Sequence, residues 1–285
     1  MFKNRNSTGH KRILTGIQNF TIFFLLLIVF SDYSLCQLKS AKPFSLNFNR
    51  EVALIGVGAV TAVTAFAVFE NLKPLTNDQL DLLEPSNVNS FDRGAIGPFT
   101  EDHLSDALLY SSYLVPISFA FFNETRSDIW EITLMYGEVL LLQSSIGGIV
   151  KGTVKRTRPF VYDEQSPIEE KKTTEARVSF FSGHTSIIAA ISFFSARVST
   201  EYIEDNTTRI LIWTGAAILP AIAAFSRVNT HWHFPTDVMA GYAIGALIGY
   251  FIPEIHKTKS GINGNLSVYP SINLNKPALS LLLKF

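Results

Sequence analysis

The chain is poor in charged residues and cysteine, and these shortages limit what it can be. Asp, Glu, Lys and Arg make up 17% of its 285 residues, and 24 basic and 24 acidic side chains cancel to a net charge of zero. Nucleic-acid-binding domains usually carry a basic face, so no nucleic-acid partner is expected. The single cysteine, Cys36, cannot form an internal disulfide, so cysteine use says nothing about the redox compartment.

Long apolar segments account for much of the sequence instead. Each is a predicted helix with a length near the roughly 20 residues that cross a bilayer. They lie at 52–69, 105–122, 129–150, 184–199, 209–225 and 238–252. With no internal repeat to suggest a second domain, the expected fold is all-α: one membrane-embedded bundle of about six helices.

The first 36 residues are typical of a secretory signal peptide. Basic side chains precede an apolar core at about 20–30, and the small residues Ser34 and Cys36 follow. This order predicts cleavage after Cys36, with an uncleaved signal anchor as the alternative. A lipid anchor on Cys36 is not expected, because Leu35 is large where a lipoprotein site needs a small residue.

Two other segments fall outside the predicted helices. Residues 70–104 are polar and contain several Pro and Gly, which favours an amphipathic helix or a lid, with Thr76 as a helix cap. At the other end, 266–269 and 278–281 are candidate strands, so the tail at 258–285 is expected to be irregular or a β-hairpin. The helical domain is therefore predicted at 37–257.

Glu138 lies inside the apolar segment at 129–150. A carboxylate in such a segment is expected to face the bundle interior and to have a partner there. We expect a buried structural pair, with a functional carboxylate as the alternative.

Three short motifs in the second half of the chain carry side chains suited to phosphate chemistry. The first is Lys151-x6-Arg158-Pro159. Phosphoryl transfer depends chiefly on neutralising charge on the phosphate oxygens, for which Arg158 offers a planar fork and Lys151 a point charge. The alternative is an ordinary basic loop beside a membrane helix.

The second motif, Ser182-Gly183-His184, begins the predicted helix at 184–199. Small Ser182 and Gly183 let a ligand approach the backbone, and unpaired N–H groups at a helix start suit an oxyanion. His184 would lie in the first turn, within reach of the same phosphate. The motif alone also fits a capping serine beside a polar histidine.

The third motif is Ser226-Arg227-x5-His233-x3-Asp237. Pro235 suits a helix start, which would put Asp237 in the first turn beneath His233. A carboxylate on one ring nitrogen fixes the tautomer and leaves the other nitrogen as a nucleophile.

A metal site is the alternative, although three nearby cations oppose a divalent ion. Its ligands would be His184, His231, His233 and Asp237.

Together the three motifs resemble those of the type 2 phosphatidic acid phosphatase superfamily, which includes vanadium haloperoxidases and bacterial acid phosphatases. The resemblance covers roughly 106–253, and Phe181 stands where the family usually has Pro. It implies a reaction without metal or cofactor, in which His233 attacks phosphorus, Asp237 orients His233 and His184 protonates the leaving group. The implied phosphate-binding residues are Lys151, Arg158, Ser182, Gly183 and Arg227.

The function that this resemblance implies is hydrolysis of a lipid phosphate or diphosphate through a phosphohistidine. Phosphatidic acid, phosphatidylglycerol phosphate, a polyprenyl diphosphate and a lipid A phosphate are the candidate substrates; the bilayer is the expected partner, and no oligomeric state is indicated. A soluble or peripheral acid phosphatase or haloperoxidase, and an inactive membrane scaffold, are the alternatives.

The side of the membrane on which the site lies is predicted in two conflicting ways. The resemblance implies the exoplasmic (periplasmic) face, which is the expectation we adopt. Counting crossings from an exported N-terminus puts the motifs on the cytoplasmic face if 52–69 spans the bilayer. That segment could instead lie against the bundle without spanning.

Overall fold

The structure is a computed structural model that describes residues 42–258 and the backbone of 265–273 and 276–284. The predicted signal peptide at 1–36 lies outside these residues.

Six long helices and four short ones lie in the described part of the chain. The long helices are α1 (Phe48–Glu70), α4 (His103–Ser112), α6 (Ile129–Val154), α8 (Gly183–Tyr202), α9 (Asn206–Asn229) and α10 (Pro235–His256). The short helices are α2 (Asn77–Asp81), α3 (Ser90–Arg93), α5 (Asn123–Arg126) and α7 (Ile168–Lys171). Single 3-10 turns lie at Pro85–Asn87, Pro116–Ala120, Pro159–Tyr162 and Thr174–Arg177.

The predicted all-α bundle is confirmed, with two local differences. The apolar segment at 105–122 is not one helix: α4 ends at Ser112, and Pro116 begins a separate 3-10 turn because proline lacks the N–H that a continuing helix needs. The segment at 70–104, for which an amphipathic helix or a lid is expected, contains the two short helices α2 and α3. Thr76 caps α2 as predicted, in a capping box with Gln79.

The long helices alternate in direction, so the three motifs come to one end of the bundle, here called the site end. Helix α1 lies parallel to α6, with Gly58 facing Leu141 and Gly152 facing Val68. The chain before α1 meets the end of α10 at the opposite end of the bundle, where the Ser45 N–H donates to the His256 carbonyl oxygen at 2.9 Å. Helix α1 therefore runs from the opposite end to the site end, alongside α6.

Helix α8 lies at the centre of the bundle and packs closely on α10. Gly241, Gly245 and Gly249 recur every fourth residue on α10, and a Cβ atom at Gly245 would overlap the carbonyl oxygen of Ser186 on α8. Small residues at this spacing let two helix backbones approach. The contact continues to the site end, where the Ser182 N–H donates to the Asp237 carbonyl oxygen at 3.0 Å.

The outer faces of several helices expose large apolar side chains. Examples are Val63 and Phe66 on α1, Phe225 on α9 and Met239 on α10, each more than 60% exposed. Four stretches are long and apolar enough to cross a bilayer: Phe48–Glu70, Ile129–Tyr162, Asn206–Asn229 and Pro235–His256. The chain is a membrane protein, and α1 has the length and composition of a spanning helix.

The tail forms an antiparallel hairpin at the two segments predicted as strands. Strand β1 (Asn265–Asn273) pairs with β2 (Lys276–Lys284), with Leu266 opposite Leu283 and Val268 opposite Leu281.

The close contact between α8 and α10 predicts that Gly245→Ala destabilises the protein by about 1–3 kcal/mol, because the added methyl group overlaps backbone atoms that cannot rotate away. Gly215→Ala on α9 is the matched control, since its Cβ would meet nothing within 4 Å. We expect the control to be neutral or stabilising by up to about 1 kcal/mol. Thermal unfolding in detergent measures both, and equal midpoints for the two variants would contradict the packing.

Candidate active site

All three sequence motifs meet at the site end of the bundle, and each is placed by a helix terminus. The helices that carry the motif residues begin or end within one turn of them. Lys151 is in the last turn of α6, Ser182 is the N-cap of α8, Arg227 is in the last turn of α9 and Asp237 is in the first turn of α10.

The start of α8 faces Lys151. The Ser182 hydroxyl accepts from the Thr185 N–H at 3.4 Å, and a Cβ atom at Gly183 would lie 3.9 Å from Lys151 Nζ. Nζ itself donates to the Val178 carbonyl oxygen at 2.8 Å. A helix N-terminus and an ammonium group therefore lie side by side, an arrangement that suits an anion. The space that they border together with Arg158, Arg227 and His233 is here called the pocket.

Phe181 occupies the position where the resemblance leads one to expect Pro. It is fully buried, and its ring faces Gly147 on α6. The Phe181 side chain, which departs from the family pattern, is thus accommodated by packing against α6.

Arg158 determines which ring nitrogen of neutral His233 carries the proton. Its guanidinium is 3% exposed, and Nη1 lies 3.3 Å from His233 Nε2. Because a guanidinium only donates, Nε2 must accept, and the ring proton of neutral His233 is on Nδ1. The lone pair of Nε2 therefore faces the cationic side of the pocket.

Trp232 brings the two arginines of the motifs together. The guanidinium carbons of Arg158 and Arg227 lie 4.7 Å and 4.5 Å from the centre of its ring. Arg227 Nη1 is 3.5 Å from Asp102 Oδ2, while its Nε is buried without a hydrogen-bond partner among the described residues. Arg227 thus retains an unused donor in the pocket.

The predicted hydrogen bond between Asp237 and His233 is not formed. Asp237 Oδ2 lies 3.6 Å from His233 Nδ1, beyond hydrogen-bond distance. The carboxylate oxygens accept instead from the Arg156 guanidinium, from the Ser179 hydroxyl at 2.5 Å and from the Phe234 N–H at 2.9 Å. A closure of about 0.5 Å would complete the pair.

Burial and the surrounding cations keep His233 neutral. Burial lowers its pKa well below the ordinary value, and the charges of Arg158 and Arg227 lower it further. Burial also lowers the pKa of His184, and a hydrogen bond with Asp106 at 2.8 Å partly opposes this. A neutral His233 has on Nε2 the lone pair that a nucleophile requires.

Arg156 holds the site residues in place, although no motif in the sequence singles it out from the other basic residues of its loop. Its Nη2 donates to Asp92 at 2.7 Å, and its Nη1 donates to Asp237 and, at 2.7 Å, to the Thr236 hydroxyl. Asp92 belongs to α3, so Arg156 ties the 70–104 segment to the start of α10. Its position two residues before Arg158 could have indicated this role, because alternate residues of an extended chain point to the same side.

Three carboxylates next to predicted cations were also missed. Glu175 accepts from Arg158 Nη2 at 2.7 Å, while Asp102 and Asp106 face Arg227 and His184. Burial would raise the pKa of Asp102, but hydrogen bonds from Ser226 and the Ser105 N–H hold it below the ordinary value. No motif spacing indicated these residues, although Asp102 could have been found as the N-cap of α4.

The alternative metal site is not assembled in the described part of the chain. No three of its four predicted ligands bring their ligand atoms within 4.8 Å of one another there. His231 Nδ1 donates to the Ala95 carbonyl oxygen at 2.9 Å, so this ring is engaged outside the pocket.

Comparison with known proteins gives one family and several relatives. Residues 132–260 match the sequence model of the PAP2 superfamily, which confirms the resemblance predicted from the three motifs. Lipid A 4'-phosphatase of Porphyromonas gingivalis is 23% identical over 151 residues, which cover 50% of this chain and 60% of that protein. Dolichyldiphosphatase of Saccharomyces cerevisiae is 26% identical over 186 residues, which cover 62% and 75%.

A solved structure is also similar. It is the transmembrane PAP2-type phosphatidylglycerolphosphate phosphatase from Bacillus subtilis, with a TM-score of 0.43 and 19% identity, over 73% of this chain and 96% of that one.

The hydrogen bonds of Arg156 predict that Arg156→Gln lowers kcat/KM for a phosphate ester by about 10- to 100-fold, because Asp237 and the start of α10 are then no longer held in position. We also expect a loss of about 3 kcal/mol in stability, since two buried carboxylates lose their cation. Lys155→Gln removes the same charge from an exposed neighbour and is expected to leave both quantities unchanged. Similar effects of the two substitutions would show that Arg156 acts only through net charge.

Proposed function

We propose that this protein is a membrane phosphatase that removes the terminal phosphate from a lipid phosphate or diphosphate. The match of residues 132–260 to the PAP2 superfamily model supports this proposal. The observation that carries the proposal is the neutral, fully buried His233, whose Nε2 lone pair faces a pocket lined by cations.

In the first step, His233 Nε2 attacks phosphorus and the ester oxygen leaves. His184 gives this oxygen its proton, and Asp237 stabilises the positive charge that develops on the imidazole. In the second step, water attacks the phosphohistidine and releases inorganic phosphate, while His184 accepts a proton from the water. Each step uses only groups that the described residues supply.

The cations stabilise the transition state of both steps. Lys151, Arg158 and Arg227 neutralise charge on the phosphate oxygens, and the N–H groups at the start of α8, next to Ser182 and Gly183, supply further donors. Arg227 Nε, which is without a partner among the described residues, is a donor that the bound phosphate would engage.

A lipid substrate is supported by the placement of the pocket and by the relatives. The pocket lies at the end of a bundle whose outer faces are apolar, so a lipid can present its headgroup there while its chains stay in the bilayer. The two relatives are named for a lipid A and a dolichyl substrate. The soluble alternative is not favoured, because four stretches have the length and composition of membrane spans.

The test is phosphate release by the purified full-length protein in detergent, from a panel of lipid phosphates and diphosphates and a soluble aryl phosphate, with chelator present. We expect turnover of at least one lipid substrate, and His233→Ala should lower kcat by at least about 1,000-fold because the nucleophile is gone.

His231→Asn is the matched control for this test. His231 lies two residues away with a positive φ of 61°, a conformation that Asn tolerates, and its ring is engaged by Ala95. We expect its kcat to stay within about threefold of the wild type. Turnover by His233→Ala equal to that of the control would overturn the mechanism. No turnover of any substrate would favour the inactive scaffold.

We further propose that the pocket faces the exoplasmic side, as the resemblance implies. With α1, α6, α9 and α10 crossing the bilayer, residues 42–47 lie on the face opposite the pocket. A cleaved export signal would put residues 42–47 outside and the pocket inside. The exoplasmic proposal therefore requires that the segment at 1–36 does not export residues 42–47, either as a cleaved signal or as an uncleaved anchor with its basic end inside.

Single cysteines on the two faces test this proposal in a Cys36→Ser background. Glu164 is exposed in the loop at the site end, and Glu124 is exposed at the opposite end. We expect Glu164→Cys to react with a membrane-impermeant maleimide in right-side-out vesicles, and Glu124→Cys to react only after permeabilisation. The reverse pattern would place the pocket in the cytoplasm and favour an export signal or signal anchor at 1–36.

A further inference from the structure

A second cluster of ionisable side chains lies at the opposite end of the bundle. Glu51 is in the first turn of α1, Glu138 is in α6 and His256 ends α10. Glu138 precedes Lys151 by 13 residues on α6, which separates the cluster from the phosphate pocket by about 20 Å at the helical rise. The proposed reaction makes no use of these three side chains.

Their side-chain atoms converge on one position. One carboxylate oxygen from each glutamate and one ring nitrogen of the histidine lie within 4.8 Å of one another. His256 Nε2 is 2.9 Å from Glu51 Oε2 and 3.2 Å from Glu138 Oε2. Zinc bonds of about 2.0–2.1 Å in a tetrahedron keep ligand atoms roughly 3.4 Å apart, which is close to these separations.

The side-chain atoms of Glu51 and His256 that point away from this position already have hydrogen-bond partners. His256 Nδ1 lies 2.7 Å from the Ile252 carbonyl oxygen and must donate to it, so in a neutral ring the Nε2 lone pair points at the two carboxylates. Glu51 Oε1 accepts from Arg50 Nη2 at 2.6 Å and from the Asn47 N–H at 2.7 Å, which leaves Oε2 directed at His256 Nε2. Such outer hydrogen bonds orient the ligands of metal ions.

Glu138 is the least compensated group of the cluster, because its carboxylate lies 3.2 Å from His256 Nε2 but receives no hydrogen bond from the described residues. It is 3% exposed, and neither carboxylate oxygen accepts a hydrogen bond from the described residues. A buried carboxylate without a partner is strongly destabilising. A proton on His256 Nε2 offers one hydrogen, which Glu51 accepts at 2.9 Å, and Glu138 would still have none. A divalent cation bonds all three ligands at once.

We propose that Glu51, Glu138 and His256 bind one divalent transition-metal ion, and that Zn²⁺ is the ion this ligand set favours. One imidazole and two carboxylates are common zinc ligands, whereas Mg²⁺ prefers an all-oxygen octahedron. The ion joins α1, α6 and α10 at the opposite end of the bundle. Its role is structural, and the phosphatase reaction proceeds without it.

Zinc binding to the full-length protein in detergent tests the site. The protein is stripped with chelator, dialysed and titrated with ZnCl₂ in a calorimeter. We expect about one zinc ion per chain and a thermal midpoint raised by about 5 °C at a hundredfold excess over Kd. Glu138→Gln should weaken binding by at least about tenfold and abolish the thermal shift, because it removes a ligand while keeping the shape of the side chain.

Two controls separate this site from other zinc-binding groups. Glu131→Gln changes the same charge on the same helix, at a carboxylate paired with Lys42, and should bind zinc as the wild type does. His184→Gln removes a histidine of the phosphate pocket and should also leave zinc affinity unchanged. Zinc binding that is absent, that is equal in Glu138→Gln and the wild type, or that is lost in His184→Gln would each overturn the proposal.

Discussion

The structure depends on burying several positive charges around one neutral imidazole. Arg158 and Arg227 are each less than 5% exposed and stack on the same tryptophan beside His233. Buried cations are costly unless anions face them, and in this structure Glu175 and Asp102 supply that charge. Asp102 is buried, whereas the Glu175 side chain is 61% exposed. We therefore expect an arriving phosphate to displace Glu175 from the guanidinium and to leave Asp102 in place.

The pocket keeps its shape because backbone contacts and one arginine fix the helix ends that form it. The glycine face of α10 brings its backbone against α8, so the Ser182 N–H can reach the Asp237 carbonyl oxygen. Arg156 then ties Asp237 to Asp92, which lies 64 residues before Arg156 in the chain. His233, Asp237 and the helix start at Ser182 are thus held in one assembly, which is what catalysis by positioning requires.

Much of this arrangement could be predicted from the sequence because its signals are local. Apolar length marked the long helices, and Ser182 and Pro235 marked the starts of α8 and α10. The break at Pro116 and the partners of Asp237 were not predicted. Arg156 and Ser179 reach Asp237 from 81 and 58 residues away, and no spacing rule covers such separations. These contacts also explain why Asp237 stays 3.6 Å from His233.

The most direct test of the account is to look for phosphate on His233 during turnover. The enzyme is mixed with a ³²P-labelled lipid phosphate, quenched within milliseconds under alkaline denaturing conditions that preserve the P–N bond, and mapped by peptide mass spectrometry. The account predicts a transient phosphohistidine at His233, formed at least as fast as phosphate is released. Label on another residue, or full turnover with no phosphoenzyme at any time, would contradict it.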